Sequence, residues 1–238
     1  MPKKEVELHP SEIQADNSLD VRLGCLTRCD GSAMLISQLG SVVAGVHGPV
    51  EAKERDQDPT KISVSVILHP PSGQQVGPVH RQIEETIRGL IANLVVKEAN
   101  PRCQVQVIIQ PLEMKYCVTP LINCAILAVL DAGIQLNHVT AAGAVALCQK
   151  AGVKHDDMET EVEYELIENP TMENLETALG SLHAVFNKSG KLLAVQSDGN
   201  FKGQLVTALH KAANAAKPLF DVLQEAVSKR LLTEELTV

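Results

Sequence analysis

The sequence predicts an α+β fold of two similar halves, each a set of strands followed by a helix. Three observations predict it. Short apolar runs broken by turn residues fill 21–49, 62–68 and 104–110. Apolar positions at helical spacing follow at 83–95 and again at 201–232. Between the halves stands a helix, 121–130, that is apolar on nearly every side. No short-period repeat runs through the chain, so the repetition is one of elements rather than of residues.

Taken in order, residues 1–18 are polar, mixed in charge and carry Pro10; they are predicted to be a flexible N-terminal tail before a single domain, 19–238. Asp30-Gly31 is predicted to make a tight turn between two strands. A buried strand, 41–46, is predicted to end at Gly48-Pro49, and EAKERDQDPT follows as a charged loop. ISVSVIL, 62–68, alternates as a strand with one buried face does. After the loop HPPSGQQVGP, residues Ile83, Ile87, Leu90, Ile91, Leu94 and Val95 form one apolar helical stripe, with Arg81, Glu84, Glu85 and Arg88 on the other face. QVQVIIQ, 104–110, is the next strand.

Thr119 as N-cap and Pro120 as first helical residue are predicted to open the buried helix, and Gly133 to end it in the left-handed conformation. In the second half, 139–148 reads as a strand of small residues. Asn187-Lys-Ser-Gly190 reads as a hairpin turn, and the final helix must kink or split at Pro218.

Bulk numbers narrow the function. The chain has 238 residues, 45% of them hydrophobic and 21% charged, as globular domains do. No apolar run approaches the roughly 18 residues of a bilayer span, and the first residues have no apolar core of the secretory kind; the expectation is an intracellular protein. Net charge is −8, and the chain has no Trp, two Tyr and three Phe. Phosphate backbones are held by summed positive charge and bases by aromatic stacking, so autonomous nucleic-acid binding is disfavoured.

Cys25 and Cys29 form a CxxxC without the further ligands a closed zinc site needs. Cys124 and Cys148 lie in apolar runs and read as buried reduced thiols. Asp156, Asp157, Glu159, Glu161, Glu163 and Glu165 read as a solvated acidic edge, since no ordered glycine-bearing loop accompanies them. No metal or other cofactor is predicted. The eight histidines form no HExxH and no Ser/His/Asp order. His80, Arg81 and Arg88 lie at or near the start of the first helix, where they would meet RNA phosphates. The alternative, ordinary surface charge paired with Glu84 and Glu85, stays open on spacing alone.

Several segments, in order, carry a resemblance: Cys29-Asp-Gly-Ser-Ala33, Gln38-Leu-Gly40, Gly48-Pro49-Val-Glu51, Asn123-Cys-Ala-Ile-Leu-Ala-Val-Leu-Asp-Ala-Gly133 and Glu168-Asn-Pro-Thr171. Over about residues 20–235 the chain resembles the RNase PH family, and within it the branch that forms the ring of the RNA exosome. The resemblance implies the RNase PH fold, of the ribosomal protein S5 domain 2-like kind. In the family's active enzymes a GGTRT segment before the central helix holds the attacking phosphate; here it falls on Lys115, Tyr116, Cys117, Val118 and Thr119, and only the threonine is kept. Two family aspartates fall near Glu173 and Leu179, and an arginine of the first helix on Arg88.

The resemblance therefore implies a degenerate phosphate site and a non-catalytic ring subunit in 3′→5′ RNA processing and decay, including ribosomal RNA maturation and messenger RNA turnover. The partners it implies are other RNase PH-like ring subunits, S1/KH-type cap proteins and RNA in the assembled channel, with no membrane. The implied locations are nucleus, nucleolus and cytoplasm. The rival is an active phosphate-dependent exoribonuclease, a homodimer in isolation, with a site rebuilt from Arg88, Lys115 and Glu173.

Overall fold

The computed structural model describes residues 19–71, 75–113, 115–149 and 164–235. The predicted tail and most of the acidic run, Asp156 to Glu163, lie outside the described residues. Strands β1 (Asp20–Leu23), β2 (Gly31–Ser37) and β3 (Gly40–Glu51) lead, past a 3-10 turn at Glu54–Asp56, to β4 (Ser63–Leu68). Helix α1 (Pro78–Leu94) crosses to β5 (Cys103–Pro111), and α2 (Val118–Asp131) follows. The second half holds β6 (Thr140–Gln149), β7 (Tyr164–Glu168), α3 (Met172–Thr177), β8 (Gly180–Asn187), β9 (Leu192–Gly199) and α4 (Leu205–Glu235).

The first five strands form one sheet in the order β1-β2-β3-β5-β4, antiparallel except for the parallel β4–β5 pair that α1 connects. The other four form an antiparallel sheet, β7-β6-β8-β9. Alternation decides which faces meet. Ala33 and Leu35 on β2, Val42, Ala44 and Val46 on β3, and Val105, Val107 and Ile109 on β5 all turn inward. Each branched chain buried this way is worth about 1.5–3 kcal/mol. The predicted stripe of α1 is buried over β4, and α2 packs against β2, β3 and β5 on one side and β6 on the other. That double contact is why α2 has no polar face.

Polar groups lock α2 in place. Asn123 stands in for a strand: its amide nitrogen donates to Ala142 C=O at 3.1 Å and its oxygen accepts Ala142 N–H at 2.8 Å. At the far end, the buried Asp131 carboxylate accepts Ser32 N–H of β2 at 2.8 Å and Arg230 Nε of α4 at 3.2 Å. Glycines allow the closest approaches. A Cβ on Gly31 would lie 2.2 Å from Ala132 N, and one on Gly143 would lie 2.3 Å from Ala212 O under α4.

Several expectations need correction. Asp30-Gly31 is not a two-residue turn. It ends a longer connection, 24–30, where the Asp30 carboxylate accepts Gly48 N–H at 2.8 Å. The tight turn lies one strand later, where Ser37 pairs with Gly40. β3 does not stop at Gly48-Pro49; it shifts register between His47 and Val50 and continues to Glu51. Cys117, not Thr119, is the N-cap residue of α2, and the helix begins at Val118. Pro218 does not split the last helix, which runs on through it. Cys148 is half-buried rather than buried. Gly133, at φ 69°, and the 187–190 turn stand as expected.

Asn123→Leu removes both bonds to Ala142 while keeping the side chain's bulk. With two backbone groups left unpaired at about 1–3 kcal/mol each, the unfolding free energy from urea titration is expected to drop by about 2–4 kcal/mol.

Candidate functional site

The segment 112–117 joins β5 to α2, and neighbours hold every described residue from it through Thr119 in the first turn of the helix. Leu112 N–H donates to Ser41 C=O at 2.9 Å, and the Glu113 carboxylate accepts the Ser41 N–H and hydroxyl at 3.1 and 2.9 Å. The Lys115 ammonium pairs with Glu176 on α3. The Tyr116 ring stands against His80 of α1, centroids 5.9 Å apart and planes tilted by 51°. Cys117 packs with Leu39, Ala144, Met172 and Leu175. Val118 and Thr119 are buried.

Beneath this loop lies His183 of β8, buried between the apolar Leu182 and Ala184. Its Nδ1 is hydrogen-bonded to Thr119 Oγ1 at 3.0 Å and lies 3.7 Å from Cys117 Sγ. Burial lowers the imidazole pKa to about 4, with Asp198 pulling weakly the other way. Burial also pushes the Cys117 thiol up to about 11, against the opposing pull of Thr119 and Val118. Both groups are therefore neutral near pH 7. A protonated thiol is a poor nucleophile, and a neutral imidazole supplies no charge for an anion.

The helix-start cations divide three ways. Arg88 is held by Glu85 through two contacts, Nε to Oε2 at 2.8 Å and Nη2 to Oε1; the pairing pushes the guanidinium pKa up and pulls the carboxyl below its ordinary range. The expected pairing thus holds for Glu85. Glu84 is used otherwise, accepting Leu68 N–H at 2.8 Å. Arg81 is exposed and carries no ion pair among the described residues. His80 turns inward, its Nδ1 accepting Gly77 N–H at 3.3 Å, while its Nε2 is buried with no hydrogen-bond partner among the described residues. So the fold brings His80 to the 115–119 loop and leaves Arg81 and Arg88 on the outer face of α1.

Glu173 lies exposed in the first turn of α3, and Leu179 sits 42% exposed between α3 and β8, its N–H on Leu147 C=O at 2.8 Å. The carboxylate that α3 gives the loop is Glu176, three residues on from Glu173 and unmarked in the sequence. His183 was also missed; a lone histidine among apolar strand residues was the available signal. Beside the N-terminus of α2 is a cavity of about 340 Å³ whose walls include Leu39, Pro120, Pro170, Pro218 and Leu219.

Among the described residues no three of His, Cys, Asp and Glu are grouped to hold a metal ion, and no helix is long and apolar enough to cross a membrane. All six cysteines are free, including Cys25 and Cys29.

Stability should report the His183 environment. Folding lowers this pKa from 6.5 to about 4, so the folded state refuses a proton that the unfolded chain accepts. Its contribution is complete above pH 6.5, declines by about 1.4 kcal/mol per pH unit below that, and is fully lost near pH 4. His183→Gln is expected to flatten this part of the pH–stability curve measured by denaturant unfolding.

Comparison with known proteins gives the geometry its context. Residues 17–135 match the domain 1 model of the 3′ exoribonuclease family, RNase PH. Exosome complex component RRP46 of Saccharomyces cerevisiae is 28% identical over 235 residues, with 90% of this chain and 99% of that one covered. Exosome complex component rrp46 of Schizosaccharomyces pombe is 28% identical over 215 residues, covering 87% and 90%. The crystal structure of rice (Oryza sativa) Rrp46 superposes with a TM-score of 0.75 at 20% identity, covering 89% of this chain and 95% of that one, a likeness of fold. The family model spans half of the chain and the fold agrees with it: the chain belongs to the RNase PH family of 3′ exoribonucleases.

Proposed function

We propose that this chain is a ring subunit of an RNA exosome and that it does not itself catalyse phosphorolysis. The observation that carries the reading is the engagement of the 115–119 loop. Phosphorolysis needs an anion held in line with the scissile bond and charge stabilisation at the leaving oxygen. Here Lys115 is paired with Glu176, Cys117 and Thr119 pack on a neutral His183, and the arginine position holds a buried Val118. The rival phosphorolytic homodimer would need Arg88, Lys115 and Glu173 as its site. Arg88 is held by Glu85, Lys115 by Glu176, and Glu173 lies on the solvent side of α3. The two yeast relatives, each named an exosome component and each aligned over most of its length, support the assembly half of the reading.

In this role the chain completes a ring with other RNase PH-like subunits, beneath S1/KH-type cap proteins, and the ring guides RNA to a separate nuclease without a cofactor from this chain. The processes are 3′→5′ maturation of ribosomal RNA and turnover of messenger RNA, in nucleus, nucleolus and cytoplasm. Arg81, exposed and without an ion pair among the described residues at the start of α1, is the side chain of this region best placed to meet RNA, with His80 beside it.

Reconstitution of the ring from purified subunits tests the proposal. Leaving out this chain is expected to prevent closure of the six-membered ring on native mass spectrometry; closure without it overturns the reading. Arg81→Glu is expected to leave assembly intact and to weaken RNA crosslinking to this subunit severalfold, whereas Lys217→Glu on α4 leaves crosslinking unchanged.

A further inference from the structure

The end of the molecule opposite the 115–119 loop carries cations that the site above does not use. The C-terminal ends of α1 and α2 meet there. Val95 bridges Leu136, Val96 N–H donates to Gln135 C=O at 3.0 Å, and Asn137 N–H donates to Leu94 C=O at 2.7 Å. These bonds set Lys97 beside the 133–139 loop that holds His138. Two residues on, Thr140 opens β6 and pairs with Asn187, which sets the 187–191 turn of the β8–β9 hairpin next to the same loop. Lys97, His138, Lys188 and Lys191 are all exposed, and none has an ion pair among the described residues.

The patch stands out against its setting. The whole chain carries a net charge of −8, yet no acidic residue occurs from 132 to 149 or from 180 to 197. One carboxylate, Glu98, lies next to Lys97 at the rim. The turn that carries two of the lysines is fixed from inside: the buried Asn187 side chain accepts Ser189 Oγ at 2.7 Å and Lys191 N–H at 2.8 Å, and Gly190 N–H donates to Asn187 C=O at 2.9 Å. The lysine stems therefore leave a rigid base while their ammonium groups stay free. Exposed Gln135, Asn137 and Ser189 add neutral hydrogen-bonding groups between the charges.

We propose that this end, formed by Lys97, His138, Lys188 and Lys191, is a contact surface for the phosphodiester backbone of single-stranded RNA. It is separate from the 80–88 region and lies at the other end of α2. The spaced cations, the intervening amide and hydroxyl groups and the absence of aromatic side chains fit backbone contact rather than base readout. The inference rests on the RNA-guiding role proposed above but does not depend on ring closure.

The experiment is fluorescence anisotropy of a labelled, 3′-tailed single-stranded RNA, titrated with the full chain at low and at physiological salt and repeated with the assembled ring. Lys188→Glu/Lys191→Glu changes only exposed side chains and leaves the turn's hydrogen bonds in place. It is expected to weaken binding by roughly tenfold at low salt and to reduce the slope of log affinity against log salt by about 1.4, two contacts at about 0.7 each for single strands. Arg81→Glu in the same assay reports the other region independently. Binding unchanged in the double variant, or no binding of RNA by the wild-type chain at low salt, overturns the proposal. So does a double variant that binds RNA normally but loses a protein neighbour from the ring, which would assign the patch to an acidic protein surface. The two RNA-binding outcomes leave ring closure by the wild-type chain, tested separately above, untouched.

Discussion

Helix α2 is buried from Val118 to Val129 between the two sheets, and polar side chains pin it where apolar packing alone would let it slide. Asn123 ties it to β6 and Asp131 ties its end to β2 and α4. Midway, the Cys124 thiol donates toward Ala33 and Val42 carbonyls at 3.3 and 3.4 Å, and burial pushes its pKa far up. The Asn123 pair spans 19 residues and the others join segments 82–99 residues apart in the chain, so the two halves fold against one helix rather than beside each other. Removing either polar anchor leaves a desolvated backbone group with nothing to pair, which is the costlier side of a lost hydrogen bond.

The position of α2 determines what its N-terminus can do. A helix start attracts an anion when its N–H groups are open and the approach is unobstructed. Here the Cys117 side chain faces the Val118 and Thr119 N–H groups, and Leu39, Met172 and Leu175 close around it. Packing rather than charge surrounds this helix start. Lys115 and Glu176, both exposed, form a surface pair that adds little stability, but it turns the one cation of the loop toward α3. The same helix dipole operates at the other end, where Asp131 is neutralised by Arg230 and the free lysines stand on the neighbouring turns rather than on the helix itself.

The sequence disclosed what depends on periodicity. The α1 stripe, the apolar α2, the alternating strands and the hairpin at 187–190 were all legible because each side chain's burial follows from its spacing along one element. It disclosed less where the decision is made by contact across the chain. Asp30-Gly31 looks like a turn from its neighbours alone; only the packing of Ala132 against Gly31 shows why glycine is required there. Thr119 looks like a cap until β8 brings His183 to its hydroxyl. Glu176 and Glu173 are indistinguishable on a short helix until the direction of Lys115 selects one. Pro218 kept its place within a helix because the element around it is held by packing on β6 and β8. The departure of Lys115-Tyr-Cys-Val-Thr119 from the family's GGTRT pattern is a matter of residue types and needs no geometry to be recognised.

The central claim is the proposal that the packed 115–119 junction holds no attacking phosphate, and an assay of phosphorolysis by the purified chain tests it most directly. A 3′-tailed RNA would be incubated with the chain with and without inorganic phosphate, and nucleoside diphosphates measured. The account predicts no phosphate-dependent diphosphate release. Release that rises with phosphate and is abolished by Lys115→Ala or Arg88→Ala would contradict it, because it would require those side chains to leave Glu176 and Glu85 and act on the substrate.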